Sequence, residues 1–176
     1  MPQSTAVGVA EQGRESTTSP TLVGSVKPQS IILAFAGHTG SGKSTISPNF
    51  ARNVNWPYTS FTDYLCLEAQ RRGLDHSKQE ILQLLGDLLV SQDSERFCHA
   101  VLEEVKHWKP GESLVINSIH HLQIWDYLKR AVAPSVCRLV FIDTAPQQRR
   151  QKLRQEGVTD EERLRRIEAA PTEKEI

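Results

Sequence analysis

The chain has 176 residues, with 21 basic and 21 acidic side chains and a formal net charge of zero, and that length suits one domain. The neutral balance argues against a strongly basic nucleic-acid binder or a polybasic membrane-surface protein. At 38% hydrophobic the chain can bury a core, while its longest apolar run, 31–36, falls far short of the roughly 18 residues a membrane span needs.

Residues 1–30 hold nine Ser or Thr, three Pro, three Gly, four charges and no aromatic. Such a stretch buries too little apolar surface to offset its ordering entropy, which predicts a disordered tail over 1–30 and a folded domain over 31–176. The start lacks the basic and continuously apolar regions of a secretory signal. Cys66, Cys98 and Cys137 are widely spaced, odd in number and without a CxxC pair. That pattern points to reduced thiols in a cytoplasmic protein.

From residue 31 the texture changes. Ile-Ile-Leu-Ala-Phe-Ala (31–36) is continuously apolar and runs into glycine, as suits a strand buried on both faces of a parallel sheet. A helix should open near Lys43, with Pro48 either in its first turn or disturbing it. A short strand follows at 58–61. The spacing predicts helices over 63–72, 77–90 and 94–108, with Gly73 as a stop and an apolar stripe from Ile81 to Leu89. Strands at 114–117 and 138–143 enclose a helix over 121–132. After Pro146 the composition turns to Arg, Gln and Glu, in helices broken around Gly157. Strands alternating with helices give an α/β fold with a mainly parallel sheet.

The chemistry lies between the first strand and the first helix. Gly37-His38-Thr39-Gly40-Ser41-Gly42-Lys43-Ser44 fits G-x-x-x-x-G-K-[ST], and average residue usage gives a chance match at only roughly 1 in 30,000 per starting position. Glycines let successive backbone N–H groups point inward at phosphate oxygens, and the helix N-terminus adds positive potential. Lys43 is placed to reach the β- and γ-phosphates and Ser44 to ligate Mg²⁺, with Thr45 supporting the α-phosphate. The motif therefore predicts ATP and Mg²⁺ as cofactors. Asp63, just after the second strand, is the candidate catalytic carboxylate, set against a plain helix-capping role. Arg149, Arg150, Lys152 and Arg154 form a basic cluster that either closes over triphosphate or is a solvated helix face paired with nearby glutamates. His120 and His121 are adjacent, so they diverge and make a poor metal pair.

Four segments then carry a resemblance: the glycine loop, Ser60-Phe61-Thr62-Asp63-Tyr64-Leu65, Ile116-Asn117-Ser118-Ile119-His120-His121 and Val140-Phe141-Ile142-Asp143-Thr144-Ala145-Pro146. In this order they resemble the P-loop nucleoside monophosphate kinase superfamily, and within it the adenylate-kinase, dephospho-CoA-kinase and deoxynucleotide-kinase-like ATPases. The resemblance implies a three-layer P-loop NTPase fold, a sheet ordered 2-3-1-4-5, and Mg·ATP on the loop. It also implies a small nucleotide or other phosphorylated acceptor over residues 63–90. The chain departs from the family pattern at three positions. Asn117 stands where the family has an aspartate that orients Mg²⁺-bound water, and Asn117 offers only a carbonyl oxygen to such a water. Cys66 and His120 stand where the family has acceptor-gripping arginines, and neither replaces a guanidinium fork.

Phosphoryl transfer depends on positioning and charge stabilisation, so these changes bear on turnover more than on ATP binding. Three functions follow: a kinase of a small acceptor, a nucleotide-binding regulatory or scaffold module with little turnover, and an ATP hydrolase. GTP is disfavoured, because no Asn-Lys-x-Asp motif is present. Only four strands are convincing, so the resemblance predicts the order 2-3-1-4 with the fifth strand missing and the domain incomplete at its C-terminus, as a fragment, a truncated gene product or a module completed by a partner chain or missing C-terminal segment. Eight of the 21 basic residues lie after Gln148, so the neutral total conceals a basic segment.

Overall fold

The computed structural model describes residues 29–170. The expected tail lies outside these residues except for positions 29 and 30, as do residues 171–176. Strand β1 (Ile31–Ala36) is flanked in parallel by β3 (Leu114–Ile119) and β4 (Val136–Phe141), with β2 (Tyr58–Ser60) beyond β3. The sheet is parallel, as the pattern predicts, and its order is β2-β3-β1-β4, the 2-3-1-4 arrangement that the resemblance implies.

The continuous apolarity of β1 has a direct cause: helices cover both of its faces. Ile32, Ala34 and Ala36 point to one side, together with Leu114 and Ile116, into a core built with Phe61, Phe97, Val101, Ile124 and Leu128. Those residues belong to α2 (Phe61–Arg71), α3 (Gln79–Glu103) and α4 (Leu122–Ala131), with α1 (Lys43–Val54) preceding them in the chain. Leu33 and Phe35 point to the other side, where Val115 and Phe50 and Ala51 of α1 close the second core. The alternation is the period-2 geometry of a strand, read out on two greasy faces.

Several boundaries differ from expectation, each for a local reason. Phe61 starts α2 instead of ending β2, because the Ser60 hydroxyl accepts the Asp63 N–H at 3.3 Å and caps the helix. Pro48 lies inside α1, beyond its first turn, so the bond from its position to the Ser44 carbonyl is missing. The two helices expected at 77–90 and 94–108 are one run ending at Glu103, kinked at Asp93 (φ −166°, ψ 91°). There the Asp93 carboxylate accepts the Arg96 N–H at 2.9 Å and restarts the helix. β4 begins at Val136, whose N–H reaches the Ser30 carbonyl at 2.8 Å, and ends two residues earlier than expected.

β3 runs two residues further than its apolar pattern suggested. Pairing moves from Ala34–Ile116 to Ala36–Ile119, so β3 carries one extra residue there, a bulge that leaves Ser118 at φ 64°. Serine in this left-handed region costs about 1–2 kcal/mol where glycine costs little. Ser118→Gly is therefore expected to raise the unfolding free energy by about 1 kcal/mol in urea denaturation, a sign opposite to most strand-to-glycine changes.

Helices α5 (Pro146–Gln155) and α6 (Glu161–Ala169) share a small core of Leu153, Val158, Leu164 and Ile167. Arg150 donates to Glu168 at 2.8 and 2.7 Å, Arg154 pairs with Glu161, and Arg163 joins α6 to Glu80 of α3 at 2.7 and 3.2 Å. The Arg150 hydrogen bonds hold the Glu168 carboxyl below its ordinary 4.5. At Glu80 desolvation works upward, but the Arg163 bonds and charge outweigh it and the net shift is downward. Both contributions are complete above the unfolded value and disappear as the pH falls through the lower folded value. Amide protection of α6 is thus expected to weaken selectively as the pH is taken below 4.5, and only modestly, because both pairs are partly exposed. Hydrogen exchange against pH measures it.

Candidate functional site

The loop joining β1 to α1 is shaped by its glycines. A Cβ at Gly37, whose φ is 139°, would sit 2.5 Å from the Ile142 carbonyl oxygen, so only glycine fits beside the end of β4. A Cβ at Gly40 would meet the Arg149 carbonyl oxygen at 3.0 Å and the Leu153 side chain at 3.1 Å, which fixes how closely α5 lies over the loop. Gly42 is the left-handed N-cap of α1 and supplies no side-chain cap, so the positive end of the helix faces the loop. The Thr144 hydroxyl donates to the Ser41 carbonyl at 3.0 Å and ties the loop to the segment leaving β4.

Lys43 is the buried cation at the centre. It is 7% exposed, and its Nζ donates to the carbonyls of Gly37 at 2.5 Å and His38 at 2.8 Å. Only an intramolecular ring of carbonyl dipoles makes such burial tolerable. The Ser41 hydroxyl is also buried and has no hydrogen-bond partner among the described residues. Beside them opens a loop cavity walled by 39–44 together with Ser118, His120, Lys152 and Glu156. Lys152, one member of the basic cluster, brings its Nζ to 3.7 Å from the Cβ position of Gly42.

A second, inner cavity lies between α2, α3, the end of β3 and α4. Phe61, Leu65, Leu82, Phe97 and Ile124 make it largely apolar, and His120 and His121 both line it. The adjacent histidines, expected to diverge, therefore share one wall. His121 Nε2 lies 3.5 Å from Asp87 Oδ1. Thr39, Thr62, Gln79, Ser118 and His120 belong to both cavities, so the two meet along that line.

The other expected residues fall as follows. Ser44 lines the loop cavity, whereas Thr45 is exposed in the first turn of α1 and lines neither cavity. The His38 ring stands edge-on to Phe141 at 5.7 Å. Asp63 lies in the first turn of α2 with its carboxyl partly desolvated, which raises its pKa, and it lines neither cavity. Asn117 is 2% exposed and its Oδ1 has no partner among the described residues. Arg149 approaches the loop through its backbone, while Arg150 and Arg154 are held by α6 carboxylates. Cys66 is half-buried, and burial followed by the Asp63 charge raises its pKa. Arg71 pairs with Glu104 and Glu68, and Arg72 with Glu68; neither lines the inner cavity.

Sequence reasoning did not single out Thr62, Gln79 or Ser118. No local pattern marks them, because a bulge and helix packing bring them to the junction. Among the described residues no group of three His, Cys, Asp or Glu side chains could hold a metal by itself, and no helix is long and apolar enough to cross a membrane.

No protein-family model and no curated protein matches the sequence. Solved structures do match in shape. A candidate kinase from Chloroflexus aurantiacus aligns with a TM-score of 0.54 at 14% identity, over 79% of this chain and 75% of that one. A chain of the Pnkp1/Rnl/Hen1 RNA repair complex aligns with a TM-score of 0.53 at 11% identity, over 86% of this chain and 46% of that one. The shikimate kinase of Acinetobacter baumannii, solved with shikimate, aligns with a TM-score of 0.49 at 14% identity, over 84% of this chain and 79% of that one. At these identities the likeness is one of fold, and the fold is that of P-loop kinase-like proteins.

Proposed function

Starting from this P-loop kinase-like fold, we propose that the protein binds Mg·ATP on the glycine loop and transfers the γ-phosphoryl group to a small acceptor in the inner cavity. The observation that carries the reading is the buried Lys43 ammonium, held on the Gly37 and His38 carbonyls at the mouth of a cavity that opens into a second one. A cation so held is preorganised for phosphate oxygens and needs little rearrangement when charge develops on them. The backbone of 37–42 and the start of α1 cradle the phosphates in this reading, and Lys152 adds a second cation from α5.

The donor set suits Mg²⁺, a hard ion that prefers oxygen. Ser44 lines the loop cavity, whereas Asn117 is buried, lines neither cavity and is assigned no ion-bound water in this arrangement. Bound with ATP, the ion supplies charge neutralisation between the β- and γ-phosphates. Lys43 offsets the remaining charge of the transferring group. Arg150 and Arg154 are engaged by α6 and are assigned no phosphate in this arrangement.

The test is direct. Purified protein with γ-labelled Mg·ATP and a broad panel of small acceptors is expected to yield a labelled product and ADP in equal amounts. ADP formed without labelled product would favour hydrolysis instead. A second reading, a nucleotide-binding module with little turnover, is favoured by the neutral Asn117 and by Arg71 and Arg72 pairing away from the inner cavity. It predicts that ATP binds and no acceptor is phosphorylated, and that the triple change Asn117→Asp, Cys66→Arg and His120→Arg creates turnover at unchanged ATP affinity.

A further inference from the structure

The inner cavity contains no Lys, Arg, Asp or Glu among the described residues that line it. Its floor and sides are Phe61, Leu65, Leu82, Phe97 and Ile124, and its polar groups are hydroxyls, amides and two imidazoles. The Asp87 carboxylate lies 3.5 Å from His121 Nε2 on that wall, which disfavours an anion there. Moving a phosphate or carboxylate into such a space without a cationic partner forfeits several kcal/mol of hydration. Arg71 and Arg72, the nearest arginines along α2, are occupied by Glu68 and Glu104. An uncharged molecule with an apolar or aromatic body meets no such penalty.

The junction adds the chemistry. Of the five residues that line both cavities, Thr39, Thr62, Gln79, Ser118 and His120, only His120 carries an imidazole, the side chain that most often serves as a general base. Asp63, the carboxylate singled out from the sequence, lines neither cavity. A phosphoryl group passing from the loop cavity to an acceptor in the inner cavity crosses the line where His120 stands.

Resting on the phosphotransferase reading above, we propose that the acceptor is an uncharged, hydroxyl-bearing molecule with an apolar or aromatic body, and that His120 receives the hydroxyl proton. The acceptor oxygen forms the new bond to the γ-phosphorus. The bond from that phosphorus to the β–γ bridging oxygen breaks, and its electron pair leaves on ADP. The hydroxyl proton passes to an imidazole nitrogen of His120. The products are a phosphate monoester, ADP and a protonated His120, which then returns its proton to solvent.

The experiment uses the full chain with Mg·ATP and matched pairs of acceptors: nucleosides against their monophosphates, and aromatic alcohols against shikimate and gluconate. ATP binding is measured separately by calorimetry. The uncharged member of each pair is expected to show kcat/KM at least about 100-fold higher, the size expected when a charge is buried unpaired. His120→Gln is expected to lower kcat by about 100-fold with unchanged ATP affinity and to abolish the acid limb of the kcat profile. Gly86→Leu, which projects into the inner cavity from α3, is expected to raise the acceptor KM at least tenfold with unchanged ATP affinity. Preference for the monophosphates, or a His120→Gln enzyme with unaltered kcat and pH profile, would overturn the proposal while leaving the phosphotransferase reading intact. Bound ATP with no transfer to any compound would overturn both.

Discussion

Lys43→Ala is expected to weaken ATP binding by about two orders of magnitude or more. The magnitude follows from truncating one partner of a desolvated charge pair, which costs about 2–5 kcal/mol, with each 1.4 kcal/mol worth a factor of about ten. The wild-type ammonium is 7% exposed and already fixed on the Gly37 and His38 carbonyls, so little ordering entropy opposes its use. Alanine removes the charge and returns those carbonyls to water that enters the open loop cavity. Folding stability should therefore fall by only about 1 kcal/mol, the net worth of such hydrogen bonds. Titration calorimetry with Mg·ATP and a urea melt separate the two effects. A variant that binds ATP as the wild type does would refute the assignment of the loop.

Gly37→Ala is the second large expected effect, and it acts through the backbone. Gly37 has φ 139°, and a Cβ there would lie 2.5 Å from the Ile142 carbonyl oxygen, which is backbone and cannot swing aside. Strain of this kind costs about 1–3 kcal/mol before the clash is counted, so destabilisation of more than about 2 kcal/mol is expected in a urea melt. The loop would also have to pull away from the end of β4, and with it the Lys43 anchor on the Gly37 carbonyl. Loss of stability and loss of ATP binding should thus appear together, unlike the Lys43→Ala case. Gly111→Ala is the control, since nothing lies within 4 Å of its Cβ position, although its φ of 94° still carries some strain.

Much of the fold was legible in local patterns because those patterns report local causes. A six-residue apolar run becomes a central strand, since no polar atom has to be hidden on either face. The Gly-Lys-Ser sequence marks the turn into α1, and Gly73, Pro146 and Gly157 punctuate helices as their backbone restrictions require. The break near Asp93 was legible as well, though it turned out to be a kink within one helical run. Boundaries set by pairing were less legible. β3 extends through Asn117 to Ile119 because Ser60 of β2 and Ala36 of β1 pair with it there, and a polar Asn-Ser pair gives no sign of a buried strand.

The site divides in the same way. The loop's residues could be named from the chain alone, because three closely spaced glycines and a lysine directly after an apolar strand form a pattern visible in the local sequence. The basic cluster shows the opposite behaviour. Four cations lie within six positions, yet Arg150 and Arg154 turn to Glu168 and Glu161 while Lys152 turns to the loop. Helical phase relative to α6 and the loop selects among them, and phase has no expression in composition. Asp63 lines neither cavity while His120 lines both, for a related reason: the cap on α2 and the bulge at Ser118 decide which side chain meets the junction. Residues adjacent in sequence thus settled the glycine loop and the central strand. The strand order, the inner cavity and the residues at the junction were decided by distant parts of the chain pairing and packing together, since long-range burial alone selects which side chains converge.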